Sequence, residues 1–261
     1  MHMTDKLVLY EVINRVGYIT LNRPEKRNAL NAAFVTEIKN TFRQAEADEQ
    51  CKVIVLRANG DAFCAGADLG YLQSLQSNTY DENLADSQHL MELFRMIHLS
   101  AKVVIAQIKG PAMAGGCGLA TVCDFSFATP ESTFAYTEVK IGFIPAIVMV
   151  FLVRKIGEGK ARELLLTGDV IDATRAQQMG LINYLEPADS LEQRVQEFAE
   201  KLCRTASAQS LQLVKEMLAG VQDKPLDEAL QYAAVQNAGA RATQDCQRGI
   251  AAFLNKEKLT W

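Results

Sequence analysis

The chain has 261 residues, a formal net charge of −4, 49% hydrophobic and 22% charged residues. That balance fits a globular protein with a sizeable core, and its acidity offers no electrostatic handle for nucleic acid or an anionic membrane. The six cysteines (Cys51, Cys64, Cys117, Cys123, Cys203 and Cys246) form no C-x-x-C pair and sit mostly among apolar residues, so buried, reduced thiols are expected and a disulfide framework is not.

Residues 7–12 and 16–21 read as two strands joined at Asn14-Arg15, a hairpin. A polar loop, 22–31, ends in Asn31 as an N-cap, after which Phe34, Ile38, Phe42 and Ala45 mark one face of a helix. Residues 53–56 are wholly apolar, as in a strand covered on both faces. They lead into a glycine-containing turn, 60–69, a polar and mobile segment, 73–83, and a helix over about 83–99. Of the three histidines, His2 falls in what reads as a cloning scar, and His89 and His98 share this helix without a second ligand motif, so no metal site is expected.

Residues 103–108 form another apolar strand, followed by Gly110-Pro111-Ala112-Met113-Ala114-Gly115-Gly116-Cys117-Gly118-Leu119-Ala120. Gly115 and Gly116 lack a Cβ and permit close approach where a short helix, through Val122, begins. The first N–H groups of a helix have no internal partner and lie at its positive end, so this turn suits developing negative charge. The same glycines would also serve simple tight packing of strand on helix. Residues 124–128 read as a strand, and 133–136 as an extension of the sheet system. Glu138 then stands among Phe134, Tyr136, Val139 and Ile141, unusual company for a residue type that is seldom buried.

Helices are expected over 146–156 and 158–167, and a last strand over 181–185. From 191 onward the pattern is helical throughout: 191–203, 208–218, 226–238 and 243–254, with Pro225 in a first turn. The change of pattern places a division between residues 1–186, a core carrying the site, and 187–261, a helical region. The longest apolar run, 141–153, is too short to span a bilayer, and Asp5 and Lys6 interrupt any secretory leader, so a cytoplasmic protein is expected. No internal repeat is visible in the sequence.

Two strand–glycine–helix turns, around Ala67 and around Gly115, lie about one βα unit apart. Neither matches a dinucleotide-binding G-x-G-x-x-G or a P-loop. Two backbone N–H donors from separate loops are what an oxyanion hole needs for a carbonyl oxygen that becomes an enolate.

An ordered set of segments now carries a specific resemblance: Asn22-Arg23-Pro24 with Asn28-Ala29-Leu30; Phe63-Cys64-Ala65-Gly66-Ala67-Asp68; Gly110 to Cys117; and Cys123-Asp124. Phe134-Ala135-Tyr136-Thr137-Glu138, Leu165-Leu166-Thr167-Gly168, Ala176 with Gly180-Leu181-Ile182, and Ala252-Phe253-Leu254 follow. The chain resembles the crotonase, or enoyl-CoA hydratase/isomerase, superfamily. The resemblance implies an α/β fold, a spiral of ββα units with a C-terminal helical trimerisation region, assembled as a homotrimer or homohexamer. It implies that Ala67 and Gly115 hold the thioester oxygen and that Glu138 is the second catalytic glutamate of the family. Lys26, Arg27, Ala29 and Leu30, with Ala65 and Asp68, match segments along the CoA path; Phe253 and Lys256 match C-terminal residues that help cover CoA, often across a subunit boundary. Coenzyme A would enter as part of an acyl-CoA thioester substrate, with no permanently bound cofactor.

Two departures from the family pattern matter. Family hydratases usually carry a first catalytic glutamate where this chain has Gly118, and a glycine-rich segment where it has Pro145-Ala146-Ile147-Val148-Met149-Val150. The expected function is therefore proton transfer or hydration on an enoyl-CoA, with a branched, methylglutaconyl-CoA-like acyl group among the candidates, through one glutamate. A strict Δ3-Δ2-enoyl-CoA isomerase and a non-catalytic relative that binds acyl-CoA or RNA are the alternatives. The missing basic patch opposes RNA, and the retained Glu138 opposes a dead enzyme.

Overall fold

The computed structural model describes residues 6–261, so His2 and Asp5 lie outside the described residues. β1 (Val8–Ile13) and β2 (Val16–Leu21) pair antiparallel, and both residues of their turn, Asn14 (φ 50°) and Arg15 (φ 68°), sit at positive φ, matching the twist of a tight hairpin. From β2 the chain repeats one theme: a strand in a large sheet, a short extended piece in a second layer, then helix. Leu30 and α1 (Ala32–Ala47) complete the first turn of the spiral. β3 (Val53–Ala58), the extended residues Cys64 and Ala67, α2 (Leu69–Leu75) and α3 (Tyr80–His98) form the next. β4 (Val103–Ile108), β5 (Ala112–Met113) and α4 (Gly115–Val122) follow, and then β6 (Phe125–Ala128), β7 (Thr133–Ala135), α5 (Ala146–Ile156) and α6 (Glu158–Thr167). β8 (Ile171–Asp172), α7 (Ala173–Met179) and β9 (Tyr184–Leu185) close the spiral, leaving α8 (Leu191–Thr205), α9 (Ala208–Val221), α10 (Leu226–Arg241) and α11 (Gln244–Leu254).

The large sheet has the order β1-β2-β3-β4-β6-β9, parallel after the first hairpin, and the second layer has the order β5-β7-β8. Parallel strands need both faces covered. Phe34, Ile38 and Phe42 of α1, Leu93 and Phe94 of α3, and Leu119 of α4 bury one face with Ile19, Ile54, Leu56 and Val104. Leu191, Val195, Ala199 and Cys203 of α8 bury the other against Val16, Val53, Val55 and Ile105. So α8, beyond the expected division at 187, completes the sheet's core. The helices after it present exposed apolar side chains, among them Val214, Leu218, Leu226, Leu230, Val235, Ile250 and Phe253. Among the described residues no helix is long and apolar enough to cross a membrane.

Several sequence expectations need correction. The polar segment 73–83 is largely helical: Asp68 caps α2 through Gly70 N–H at 3.0 Å, and a reciprocal Thr79–Glu82 capping box starts α3 at Tyr80. Within the expected 133–136 extension of the sheet system, Thr133–Ala135 form β7, which lies in the second layer. Helix α7 was not expected; Asp172 accepts from Arg175 N–H at 2.7 Å to cap it, and Gly180 (φ 81°) ends it. The last strand is only Tyr184–Leu185, with Leu181 and Ile182 buried as packing residues before it. Pro225 stands at the N-cap of α10, just before its first turn.

Two consecutive turns of the spiral touch at Gly116. A Cβ there would overlap the Cys64 carbonyl oxygen and lie 2.7 Å from Cys64 Cβ, both on a buried backbone that cannot yield. A Cβ on Gly115 would instead meet only the tip of the Leu30 side chain, at 3.2 Å. Gly116→Ala is expected to lower the urea midpoint sharply and Gly115→Ala only slightly; equal midpoints for the two variants would contradict this packing.

Candidate active site

The second layer decides where the candidate oxyanion donors point. Leu30 N–H donates to Gly66 O at 2.6 Å and Asp68 N–H donates to Leu30 O at 2.8 Å. In such a parallel bridge the residue between the two bonded groups turns its own N–H away from the partner strand, and here that residue is Ala67, which is exposed. One unit later, Cys64 pairs with Ala112, and Met113 N–H donates to Cys64 O at 2.9 Å. That register sets the Gly115 turn beside the Ala67 turn: a Cβ on Gly66 (φ 90°) would lie 3.0 Å from Ala114 Cβ.

Ala114 itself has φ 49° and ψ −121°, a conformation that strains a residue with a Cβ. It is held there by its N–H donating to Ala135 O at 2.7 Å, and it hands the chain directly to Gly115, the first residue of α4. As a first-turn residue, Gly115 has an N–H without an acceptor inside the helix and lies at the positive end of the dipole. Strain in the residue before a candidate donor is a backbone feature of this site that the sequence did not signal.

The expected CoA segment is a tight, zippered loop. Pro24–Lys26 form a 3-10 turn, Arg27 (φ 52°) and Asn28 (φ 53°) follow in left-handed conformations, and Ala65 N–H donates to Arg27 O at 3.0 Å. Lys26 and Arg27 are exposed cations, whereas Ala29 and Leu30 are buried. Asn28, wholly buried, donates to Asn59 O and Ala62 O at 2.9 Å each and accepts from Arg23 N–H at 2.8 Å. Arg23 lies over the Phe34 ring and donates to Ala29 O at 2.7 Å and to the Asp68 carboxylate at 3.2 Å. The side chain of Asp68 is thus engaged by Arg23 and by the start of α2, while Ala65 is half-buried at the loop's edge. Phe253 and Lys256 are exposed near the end of α11, which packs on α9 and α10. Among the described residues no hydrogen bond joins them to the 26–30 loop of the same chain.

Glu138 opens a 3-10 turn, Glu138–Ile141, that ends at Gly142 (φ 75°). Its Oε2 is buried and, among the described residues, has no hydrogen-bond partner. Burial raises its pKa above the ordinary carboxylate value, opposed only by its own backbone N–H. The surroundings differ from those expected. Phe134 and Tyr136 are fully buried, and Tyr136 shares a 2.8 Å hydrogen bond with Thr121, whereas Ile141 is exposed, as is Phe143, whose N–H donates to Glu138 O at 3.0 Å. Burial also pushes the neighbouring Cys117 thiol up to about 12, so it stays neutral. The six cysteines are free thiols, and among the described residues no three His, Cys, Asp or Glu side chains gather where they could hold a metal.

The space beside Gly118, where the resemblance places a first glutamate in family hydratases, is closed. A Cβ on Gly118 would overlap Val148 Cγ1 and stand 3.1 Å from both Val148 Cβ and Phe94 Cε1. The apolar segment 145–150 was visible in the sequence; its contact with residue 118 was not.

A family profile described as "Enoyl-CoA hydratase/isomerase" matches residues 11–261. A Thermus thermophilus protein named for enoyl-CoA hydratase is 39% identical over 92% of this chain and 95% of its own. A crotonyl-CoA hydratase of Syntrophomonas wolfei is 32% identical over 99% of both chains. The crystal structure of an enoyl-CoA hydratase from Shewanella pealeana superposes with a TM-score of 0.93 at 28% identity, over all of both chains.

A carboxyl whose pKa is raised by folding binds its proton more tightly in the folded chain, so its contribution to stability falls as pH rises through that raised value. Glu138→Gln removes the buried charge and is expected to be at least as stable as the wild type at neutral pH, with the difference shrinking as pH falls towards the ordinary value of 4.5. Urea unfolding at the two pH values checks this; a less stable variant at neutral pH would mean that the ionised carboxylate has a stabilising partner.

Proposed function

The chain belongs to the enoyl-CoA hydratase/isomerase family and is an enzyme of that family, and on this premise we propose that Glu138 is the one acid–base residue of its enoyl-CoA chemistry. The observation that carries the proposal is the buried, unpartnered Oε2 of Glu138, set against a closed wall at Gly118. The N–H groups of Ala67 and Gly115 stabilise the thioester oxygen as it becomes an enolate. For double-bond migration, the Glu138 carboxylate takes a proton from C2 of a 3-enoyl-CoA, and electrons shift onto the oxygen. The same carboxyl then returns the proton to C4, leaving the bond between C2 and C3. A desolvated carboxyl with a raised pKa suits both halves, since it must accept a proton and release it again. CoA takes part only as the carrier of the acyl group, along Lys26–Leu30 and the Ala65–Asp68 turn, and neither half-reaction calls on a resident cofactor.

A second reading, hydration, is favoured by the names of the relatives. Here Glu138 would take a proton from water as the oxygen adds to C3 and pass that proton to C2. The atoms balance with one carboxylate; what the protein then lacks at residue 118 is a group to orient the water. The acyl group, a branched methylglutaconyl-CoA-like one included, is the finer part of either reading.

We also propose assembly as a trimer or a pair of trimers, supported by the exposed apolar side chains of α9–α11, Phe253 among them. Light scattering at micromolar concentration is expected to show a multiple of three, and a monomer would overturn this.

Glu138→Gln is expected to abolish turnover of both 3-enoyl-CoA and 2-enoyl-CoA while retaining CoA-thioester binding by calorimetry. The wild type is expected to isomerise 3-enoyl-CoA faster than it hydrates the matching 2-enoyl-CoA, and a panel of straight, branched and carboxylated acyl groups read by mass identifies the substrate. Efficient hydration with poor isomerisation would select the second reading. Gly115→Pro deletes one donor and is expected to cost roughly 10²–10³ in rate with the fold intact by circular dichroism; unchanged turnover would reject Gly115 as a donor.

A further inference from the structure

The two departures from the family pattern, at residue 118 and at 145–150, are in contact and form one steric unit. Gly118 is the fourth residue of α4, one turn beyond Gly115, and both it and the backbone around it are buried. Whatever side chain residue 118 carried would have to start in the volume taken by Val148 Cγ1, with Val148 Cβ and Phe94 Cε1 each 3.1 Å away. Val148 is the third residue of α5 and only 4% exposed, and Phe94 is fully buried.

Neither neighbour can yield cheaply. A β-branched side chain inside a helix has essentially one favoured rotamer, so Val148 cannot swing its Cγ1 aside. Phe94 is backed by Phe151, one helical turn after Val148, with ring centroids 6.2 Å apart, and Phe151 is backed in turn by His98 at 5.3 Å. Small-to-large changes in such packing force side chains off their rotamers or shift the backbone.

We infer that Val148 is a specificity-determining residue: by filling the space of a side chain at 118 it excludes a second carboxylate and leaves an apolar wall beside the oxyanion helix. This rests on the single-glutamate reading of Glu138. On that reading, Val148 biases the site towards returning a proton to carbon and away from holding water, because the wall offers water no hydrogen-bond partner. The exclusion runs both ways, since a residue larger than glycine at 118 requires a smaller one at 148.

The test compares wild type, Gly118→Glu, Val148→Gly and the double variant by urea midpoint and by the ratio of 2-enoyl-CoA hydration to 3-enoyl-CoA isomerisation. Gly118→Glu alone is expected to lower the midpoint without raising the ratio. The double variant is expected to recover midpoint relative to Gly118→Glu, although Val148→Gly by itself lowers it, and to raise the ratio by about 10², the lower end of what a positioned acid–base group contributes. A Gly118→Glu enzyme with an unchanged midpoint, or a double variant no more stable than Gly118→Glu, overturns the steric exclusion. A double variant that recovers stability at an unchanged ratio overturns the role in specificity. The midpoints report packing without any turnover, and Glu138→Gln placed in each background reports the single-glutamate reading separately, so the two failures are distinguishable.

Discussion

The arrangement depends on the register of the second layer. Leu30 against Ala67, and Cys64 against Ala112, are only isolated parallel bridges, yet they fix consecutive turns of the spiral relative to one another. Because each bridge uses the backbone groups flanking a residue and frees that residue's own N–H on the other side, the same hydrogen bonds that hold the loops also aim Ala67. Gly116 allows the loops to meet at backbone distance, and Ala114 carries the strain of turning the chain into α4. On the proposed reading, donors placed on such a rigid, hydrogen-bonded backbone have little to reorganise when charge develops on a bound oxygen.

Around that backbone the protein places one carboxyl where water is scarce. Glu138 keeps an unpartnered oxygen in the interior, an arrangement that costs stability and persists at functional sites. Facing it are neutral groups: Tyr136, tied to Thr121, and Cys117, both held uncharged by burial. At the far end of α4, Lys155 donates to Thr121 O and Cys123 O at 3.0 Å each, so the helix that presents Gly115 is capped at its C-terminus by a cation. Arg23 performs a comparable tie on the other loop, joining Ala29 to Asp68 and so the 26–30 loop to the Ala67 turn.

Local chemistry made much of this legible in advance. The Asn14-Arg15 hairpin, the Asn31 cap and the apolar strands at 53–56 and 103–108 follow from period, propensity and turn residues that act over a few positions. The Thr79–Glu82 box and the Asp172 and Gly180 caps are written there too, in residues whose signal spans only a few positions and is outweighed by the polarity around it. The spiral itself is a repeat of structure without a repeat of sequence, because each turn needs only a strand, a short extended piece and a helix, and many side chains satisfy each. The two glycine turns and the one glutamate were visible as residues, and their ordered motifs identified the family.

What the sequence by itself determined, then, was the inventory: which strands are buried, which glycine turns open helices, and that residue 118 is a glycine preceding an apolar 145–150 segment. Only the tertiary structure decided that Ala67 turns its N–H outward, that Ile141 and Phe143 stand in solvent while Phe134 and Tyr136 are buried, and that Val148 and Phe94 occupy the space beside Gly118. The reason is physical. Propensity and periodicity report forces within a few residues along the chain, whereas steric exclusion between 118 and 148, and the desolvation of Glu138, arise from atoms brought together by packing across the fold.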